Sequence, residues 1–217
     1  MALKKIRWIL FDLGNVLVDH VPSGTDHIAS FLKIEPDVLH TYLLEIDASR
    51  RLCNGEFGAE EFVALVNRRF NGAITPKMIT EWFKPEIERV YPEIPELVSS
   101  LAGRYSLGVL SNTFFGHWDY FAATDLAGRF SALMASHLLG CVKPDPEIYR
   151  KALRQIAAKP EETIFIDDKE ENVAAALALG INAFQSLSPA ETISGLARLG
   201  ISTESGGNQP TVQAKTA

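Results

Sequence analysis

The 217-residue chain contains only two cysteines, Cys53 and Cys141, and no CxxC pair. That excludes a disulfide framework and makes two free thiols in a reducing compartment the expectation. No stretch reaches the 18 or so apolar residues that cross a bilayer. The opening Met-Ala-Leu-Lys-Lys leads into a short apolar run ending at Asp12, which reads as a strand rather than a secretion signal. The expected location is cytoplasmic. Positive charge is in deficit: 21 Lys and Arg face 27 Asp and Glu, a net charge of −6. This argues against a nucleic-acid or membrane-surface binder. The five histidines (20, 27, 40, 117 and 137) show no metal-ligand spacing, and no internal repeat is present. His117 reads as a helix-surface residue.

What is present is apolar material for a sizeable core, 47% of the residues. Residues 6–11 are β-branched, aromatic or aliphatic and stop at the turn signal Gly14-Asn15, so they read as a buried strand with Asp12 at its carboxyl end. Residues 21–93 then carry apolar side chains at helical spacing, as in Phe62, Leu65 and Val66, or Trp82, Phe83 and Ile87. Helix starts are signalled at Glu35-Pro36 and Thr75-Pro76. Four or so helices are expected there, and no strong strand. From Pro95 onward strand and helix alternate. Strands are expected at 106–110, 132–135, 163–166 and 182–185, with helices between them. Gly180 is placed to end one helix, and Ser188-Pro-Ala-Glu191 to cap the last. Such alternation specifies a parallel sheet with right-handed crossovers and helices on both faces. The fold class is therefore α/β: a Rossmann-like three-layer core, residues 1–18 plus 94–202, with an inserted α-helical cap, residues 19–93. Residues 203–217 have no periodicity and are expected to be disordered.

Four polar signals follow the apolar segments: Asp12, Ser111-Asn112-Thr113, Lys143-Pro144 and Asp167-Asp168. Three of them directly end expected strands, so a parallel sheet gathers them at one edge. Taken singly, Asp12, Ser111-Asn112 and Lys143-Pro144 also fit turns and solvated loops. Asp167-Asp168 is different, because adjacent carboxylates at a core strand repel one another unless a cation is near. Together the four have roles in one reaction. Asp12 can attack phosphorus. Ser111, Asn112 and the following amides suit phosphate oxygens. Lys143 neutralises developing charge. Asp12, Asp167 and Asp168, with the Gly14 carbonyl, offer hard oxygen ligands for Mg²⁺. Arg50, Arg51, Asn54 and Glu56 fall in an expected cap loop and are the candidate substrate-facing groups.

On the segments Phe11-Asp12-Leu13-Gly14-Asn15-Val16, Leu110-Ser111-Asn112-Thr113, Lys143-Pro144-Asp145-Pro146-Glu147 and Ile166-Asp167-Asp168 with Asn172, the sequence resembles the haloacid dehalogenase superfamily of hydrolases. The resemblance covers residues 6–199. It implies a Rossmann-like core with a helical cap after the first motif, and a phosphoaspartyl intermediate on Asp12. It also implies Mg²⁺ held by Asp12, the Gly14 carbonyl and Asp168. The Asp-Leu-Gly-Asn-Val form, with Asn-Gly-Glu56-Phe in the cap, is similar to bacterial sugar-phosphate phosphatases of the glucose-1-phosphate type. One departure stands out. Phosphatases of the superfamily usually carry a second Asp, a general acid, where this chain has Gly14. Water, Asp19 or His20 are the candidates to replace it. The function expected is phosphatase action on a small phosphorylated metabolite by a monomer or weak homodimer. The alternatives are a non-catalytic phospholigand-binding protein or a metal-free 2-haloacid dehalogenase.

Overall fold

The computed structural model describes residues 5–203. Of the expected disordered tail, all but Thr203 lies outside them. The first strand, β1, is Trp8–Phe11. Five α-helices make up the insertion that follows: α1 Gly24–Leu32, α2 Pro36–Glu45, α3 Ala48–Cys53, α4 Ala59–Phe70 and α5 Pro76–Phe83. The remainder alternates as expected: α6 Ile94–Ala102, β2 Ser106–Ser111, α7 Phe115–Ala122, β3 Ala132–Ala135, α8 Ser136–Leu139, α9 Pro146–Gln155, β4 Thr163–Asp167, α10 Glu170–Ala178, β5 Asn182–Gln185 and α11 Pro189–Arg198.

The five strands form one parallel sheet in the order β3-β2-β1-β4-β5. β1 is central, flanked by β2 and β4, with Phe11 in register with Val109 and Ile166. Its side chains alternate between two cores. Ile9 and Phe11 join the cluster built from α6, α7 and α11, while Leu10 joins Leu110, Phe165, Ile148 and Tyr149 on the opposite face. These are the three layers. A third cluster, including Ile28, Leu39, Phe62, Val66 and Ile79, lies within the inserted helices. Phe114, just before α7, reaches across to it and meets Phe83 edge-on at 5.1 Å.

Local signals act where the sequence places them. Thr75 caps α5 by accepting from the Met78 amide, and Ser188 caps α11 by accepting from the Glu191 amide. Glu191 reaches back to the Leu187 amide at 2.9 Å rather than to that of Ser188. Gly180 takes φ +81 after α10, a conformation open to glycine at little cost. One element departs from expectation: Arg50 and Arg51 lie on the short helix α3, not in a loop. Only Ala48 and Leu52 of α3 are buried, so six residues with one i, i+4 apolar pair leave no periodicity to read.

Candidate active site

Because β1, β2 and β4 are parallel neighbours, Asp12, Ser111 and Asp167 end side by side at one edge of the sheet. The Asp12 amide is fixed by the Ile166 carbonyl at 2.8 Å. Its carboxylate Oδ1 accepts from the Leu13 amide at 2.7 Å and lies 2.8 Å from Lys143 Nζ. Oδ2 has no hydrogen-bond partner among the described residues. Burial and the nearby Asp167 outweigh the attraction of Lys143, and the Asp12 carboxyl is pushed up to about 6.

Lys143 is 3% exposed and fully engaged. Its Nζ donates to Asp167 Oδ2 at 2.6 Å and to the Leu110 carbonyl at 2.9 Å, besides facing Asp12. Burial disfavours the ammonium, but the two carboxylates prevail and hold it above the usual lysine range. Asn112 clamps the Lys143 main chain. Its Oδ1 accepts from the Lys143 amide and its Nδ2 donates to the Lys143 carbonyl, both at 2.8 Å. One Nδ2 hydrogen of that amide is left over from this clamp. Ser111 Oγ, by contrast, bonds no described residue and lines the same cleft.

Asp167 is completely buried. Oδ2 takes Lys143, and Oδ1 takes the Lys169 amide at 2.9 Å and Asn172 Nδ2 at 2.8 Å. Asp168 uses Oδ2 for Asn15 Nδ2 at 3.0 Å and keeps Oδ1 open. Asp12, Asp167 and Asp168 each offer an oxygen within 4.8 Å of the others. This all-oxygen donor set fits a hard divalent cation. With the oxygens of Asp167 already spoken for, Asp12 and Asp168 are the members left to face an ion.

The cleft spans about 770 Å³ between this edge and the inserted helices. Of the four cap residues expected there, Arg50 lines it, but its guanidinium is held by Asp47 and by Glu56 at 2.5 Å. Asn54 also bonds Glu56, at 2.9 Å. Arg51 lies over the Phe57 ring, 3.7 Å from its centre, and is not among the cleft residues. These groups are paired mainly with one another.

The sequence reading missed a second polar group on the cleft wall. Glu86, 4% exposed, accepts from the Ser23 amide at 2.7 Å and the Gly24 amide at 2.5 Å through Oε1. Its Oε2 lies 2.9 Å from His117 Nε2 and 3.4 Å from His20 Nε2. Burial alone raises a carboxyl pKa; here the contacts from His117, His20 and the two amides outweigh it and hold Glu86 well below the carboxylate range. His117 is buried against Phe83 and Phe114, not set on a helix surface. The three residues meet the geometric count for a metal, yet their short contact is a hydrogen bond that satisfies the group without an ion. Separations of 66 and 31 residues hide this cluster from any spacing rule. The local sign was that Glu86, unlike Glu88, shares the helical spacing of the apolar residues Phe83, Ile87 and Val90.

Comparison with known proteins agrees with this geometry. The mouse acyl-CoA dehydrogenase family member 10 is 26% identical over 204 residues, covering 84% of this chain but 18% of that protein. The chain thus spans under a fifth of that relative's length. The D-ribitol-5-phosphate phosphatase of Bacteroides thetaiotaomicron is 25% identical over 190 residues, covering 83% of this chain and 91% of that enzyme. Among solved structures, a HAD-family enzyme from B. thetaiotaomicron superposes with a TM-score of 0.74 at 26% identity, covering 90% of this chain and 100% of its own. A further structure of that enzyme holds magnesium and inorganic phosphate. The family model described as haloacid dehalogenase-like hydrolase matches residues 6–180, most of the chain and all four polar signals, and the protein belongs to that family.

Proposed function

We propose that this hydrolase is a Mg²⁺-dependent phosphatase acting on a small phosphorylated metabolite through an aspartyl-phosphate intermediate. The observation that carries the reading is the state of Asp12. One oxygen is pinned by Leu13 and Lys143, and the other is unpartnered on a residue that lines the cleft. A carboxylate so oriented is placed to attack phosphorus. The Ser111 hydroxyl is free to donate to a phosphate oxygen, and Lys143 brings a buried positive charge to the nucleophile. Asp12, Asp168 and the Gly14 carbonyl, with Asp167 behind them, would hold Mg²⁺, which would supply positive charge to the phosphate oxygens. The activity named for the ribitol-phosphate relative, and the magnesium and phosphate bound by the structural neighbour, support the same reading.

The alcohol part of the substrate then lies toward the inserted helices, residues 19–93 acting as a cap over a core of 1–18 and 94–202. Arg50 is the cap group on the cleft wall closest in kind to a sugar contact, in its paired form with Asp47 and Glu56. A polyol or sugar phosphate is the substrate class favoured, with ribitol 5-phosphate and glucose 1-phosphate as first compounds. The test is phosphate release from a panel of phosphorylated metabolites, with Mg²⁺ and with EDTA, for wild type and Asp12→Asn. Mg²⁺-dependent release that disappears in Asp12→Asn is expected. Release unaffected by EDTA or by Asp12→Asn sinks the reading.

A further inference from the structure

We propose that His20 donates the proton to the leaving oxygen, and that Glu86 is its positioning residue; the inference rests on the phosphatase reading above. Breaking the phosphorus–oxygen bond of an ordinary alcohol expels an alkoxide unless a proton reaches that oxygen as the bond breaks. Most of the groups that face the cleft near Asp12 are committed elsewhere. Asp12 is the nucleophile. Lys143 and Asp167 have every polar position filled. Asp168 belongs to the cation-binding carboxylates. Glu86 is saturated by two amides and two imidazoles. His117 spends Nε2 on Glu86 with its ring buried between Phe83 and Phe114. His40 stands exposed on α2, on the cap side. Asp19, the other candidate near it in sequence, faces Arg89 at 2.9 Å and is not among the cleft residues.

His20 differs from all of these. Its Nε2 faces Glu86 Oε2, while Nδ1 has no partner among the described residues, and its side chain is 31% accessible in the cleft wall. Its backbone is tied to the reaction centre, because its amide donates to Asn15 Oδ1 and Asn15 Nδ2 holds Asp168. Its side chain also packs beside position 14. A Cβ built on Gly14 lies 3.5 Å from His20 Cβ and 3.8 Å from His20 Cγ. The chain thus brings an imidazole, from six residues further on, alongside position 14 in the wall of the cleft that Asp12 lines.

The step balances as follows. Asp12 Oδ2 forms a bond to phosphorus as the phosphorus–oxygen bond to the alcohol breaks, and the proton on His20 Nδ1 passes to that oxygen. The alcohol departs, leaving aspartyl phosphate and a neutral imidazole. Water then attacks phosphorus and gives a proton to His20 Nδ1, and the bond to Asp12 breaks. Asp12 returns as carboxylate, His20 as imidazolium, and phosphate leaves.

The experiment is a leaving-group series: kcat/KM for p-nitrophenyl phosphate, phenyl phosphate and an alkyl phosphate, in wild type, His20→Gln and His20→Gln with Gly14→Asp. Nitrophenolate needs little help to leave, whereas an alkoxide needs a proton. His20→Gln should lose about 10²-fold or more on the alkyl ester and under about 10-fold on the nitrophenyl ester. The surviving nitrophenyl turnover also shows that the variant is folded. The double variant should regain at least about tenfold on the alkyl ester. Equal losses on all three esters, or no loss on the alkyl ester, overturns the assignment while leaving the phosphatase intact. Wild type that turns over none of the three overturns both.

Discussion

Lys143 Nζ lies 2.6 Å from Asp167 Oδ2 and 2.8 Å from Asp12 Oδ1, so one buried ammonium joins the ends of two neighbouring strands. The third contact of Nζ, to the Leu110 carbonyl, brings in the strand on the other side. The charge proposed to serve the chemistry therefore also holds β1, β2 and β4 together at this edge. Removing it leaves two buried carboxylates facing each other without compensation.

Lys143→Met should therefore cost folding stability as well as activity. Breaking a buried ion pair by deleting one partner typically costs about 3–5 kcal/mol. The expected result is a urea midpoint well below wild type at pH 8. The deficit should shrink toward pH 5, as Asp12, already pushed up to about 6 with Lys143 present, takes up a proton. A pH-independent deficit would show that lost packing, not charge, is responsible.

Asp12→Asn should separate function from stability. The folded-state pKa of Asp12 lies above its ordinary value of 3.8. The unfolded chain therefore ionises first, and stability falls as pH rises from 3.8 to 6 and stays lowered above that. An asparagine has no such penalty, and its carbonyl can still accept from the Leu13 amide and Lys143. Phosphate release should vanish, while the melting temperature at pH 7.5 without divalent cation stays level with wild type or rises. A marked fall in melting temperature would mean that the Asp12 charge is needed to hold Lys143.

Glu86 gives the opposite slope. Its carboxyl is held far below the ordinary 4.5 by His117, His20 and two amides acting against burial. A depressed carboxyl contributes stability in full above the unfolded value, and that contribution drains away as pH falls below about 4.5. Wild type should lose stability steeply between pH 4.5 and 3, measured as urea midpoints. Glu86→Gln should start lower at pH 7 and lose less over the same window. Parallel curves for the two proteins would exclude Glu86 as a source of the acid sensitivity.

Much of this was legible in the sequence because it is local. Strand ends, helix caps and the order of Asp12, Ser111, Lys143 and Asp167-Asp168 follow from short-range patterns, and a parallel sheet converts that order into one edge. What was not legible depends on pairing across distance. Asn112 has the composition of a phosphate ligand, yet both ends of its amide are used on the Lys143 backbone. Arg50 and Arg51 look like free cations until Asp47, Glu56 and the Phe57 ring are seen against them. His20, Glu86 and His117 converge because the two chain segments that flank the inserted helices run side by side. The Asp19 and Val21 amides bond the Arg89 and Glu86 carbonyls, and Val18 bridges Val90.

The contact between the inserted helices and α8 has a weak point at Gly55. It takes φ +73 in the link between α3 and α4, and an added Cβ would lie 2.2 Å from the His137 carbonyl oxygen of α8. Neither the backbone angle nor that oxygen accommodates a methyl group, so the loop must lift away from α8. The left-handed angle alone costs an ordinary residue about 1–2 kcal/mol. His137 Nδ1 in turn donates to the Thr113 carbonyl at 3.0 Å, just past Ser111-Asn112, so the displacement begins beside the segment that ends β2. Gly55→Ala should lower the melting temperature by about 2–8 °C and raise KM several-fold for the best substrate of the panel. Gly103→Ala is the control, since Gly103 has a negative φ and open space where its Cβ would be. If the two variants behave alike in melting and in KM, Gly55 does not set the seating of the cap; if only Gly55→Ala shifts both, the clasp on His137 holds the cleft at its working width.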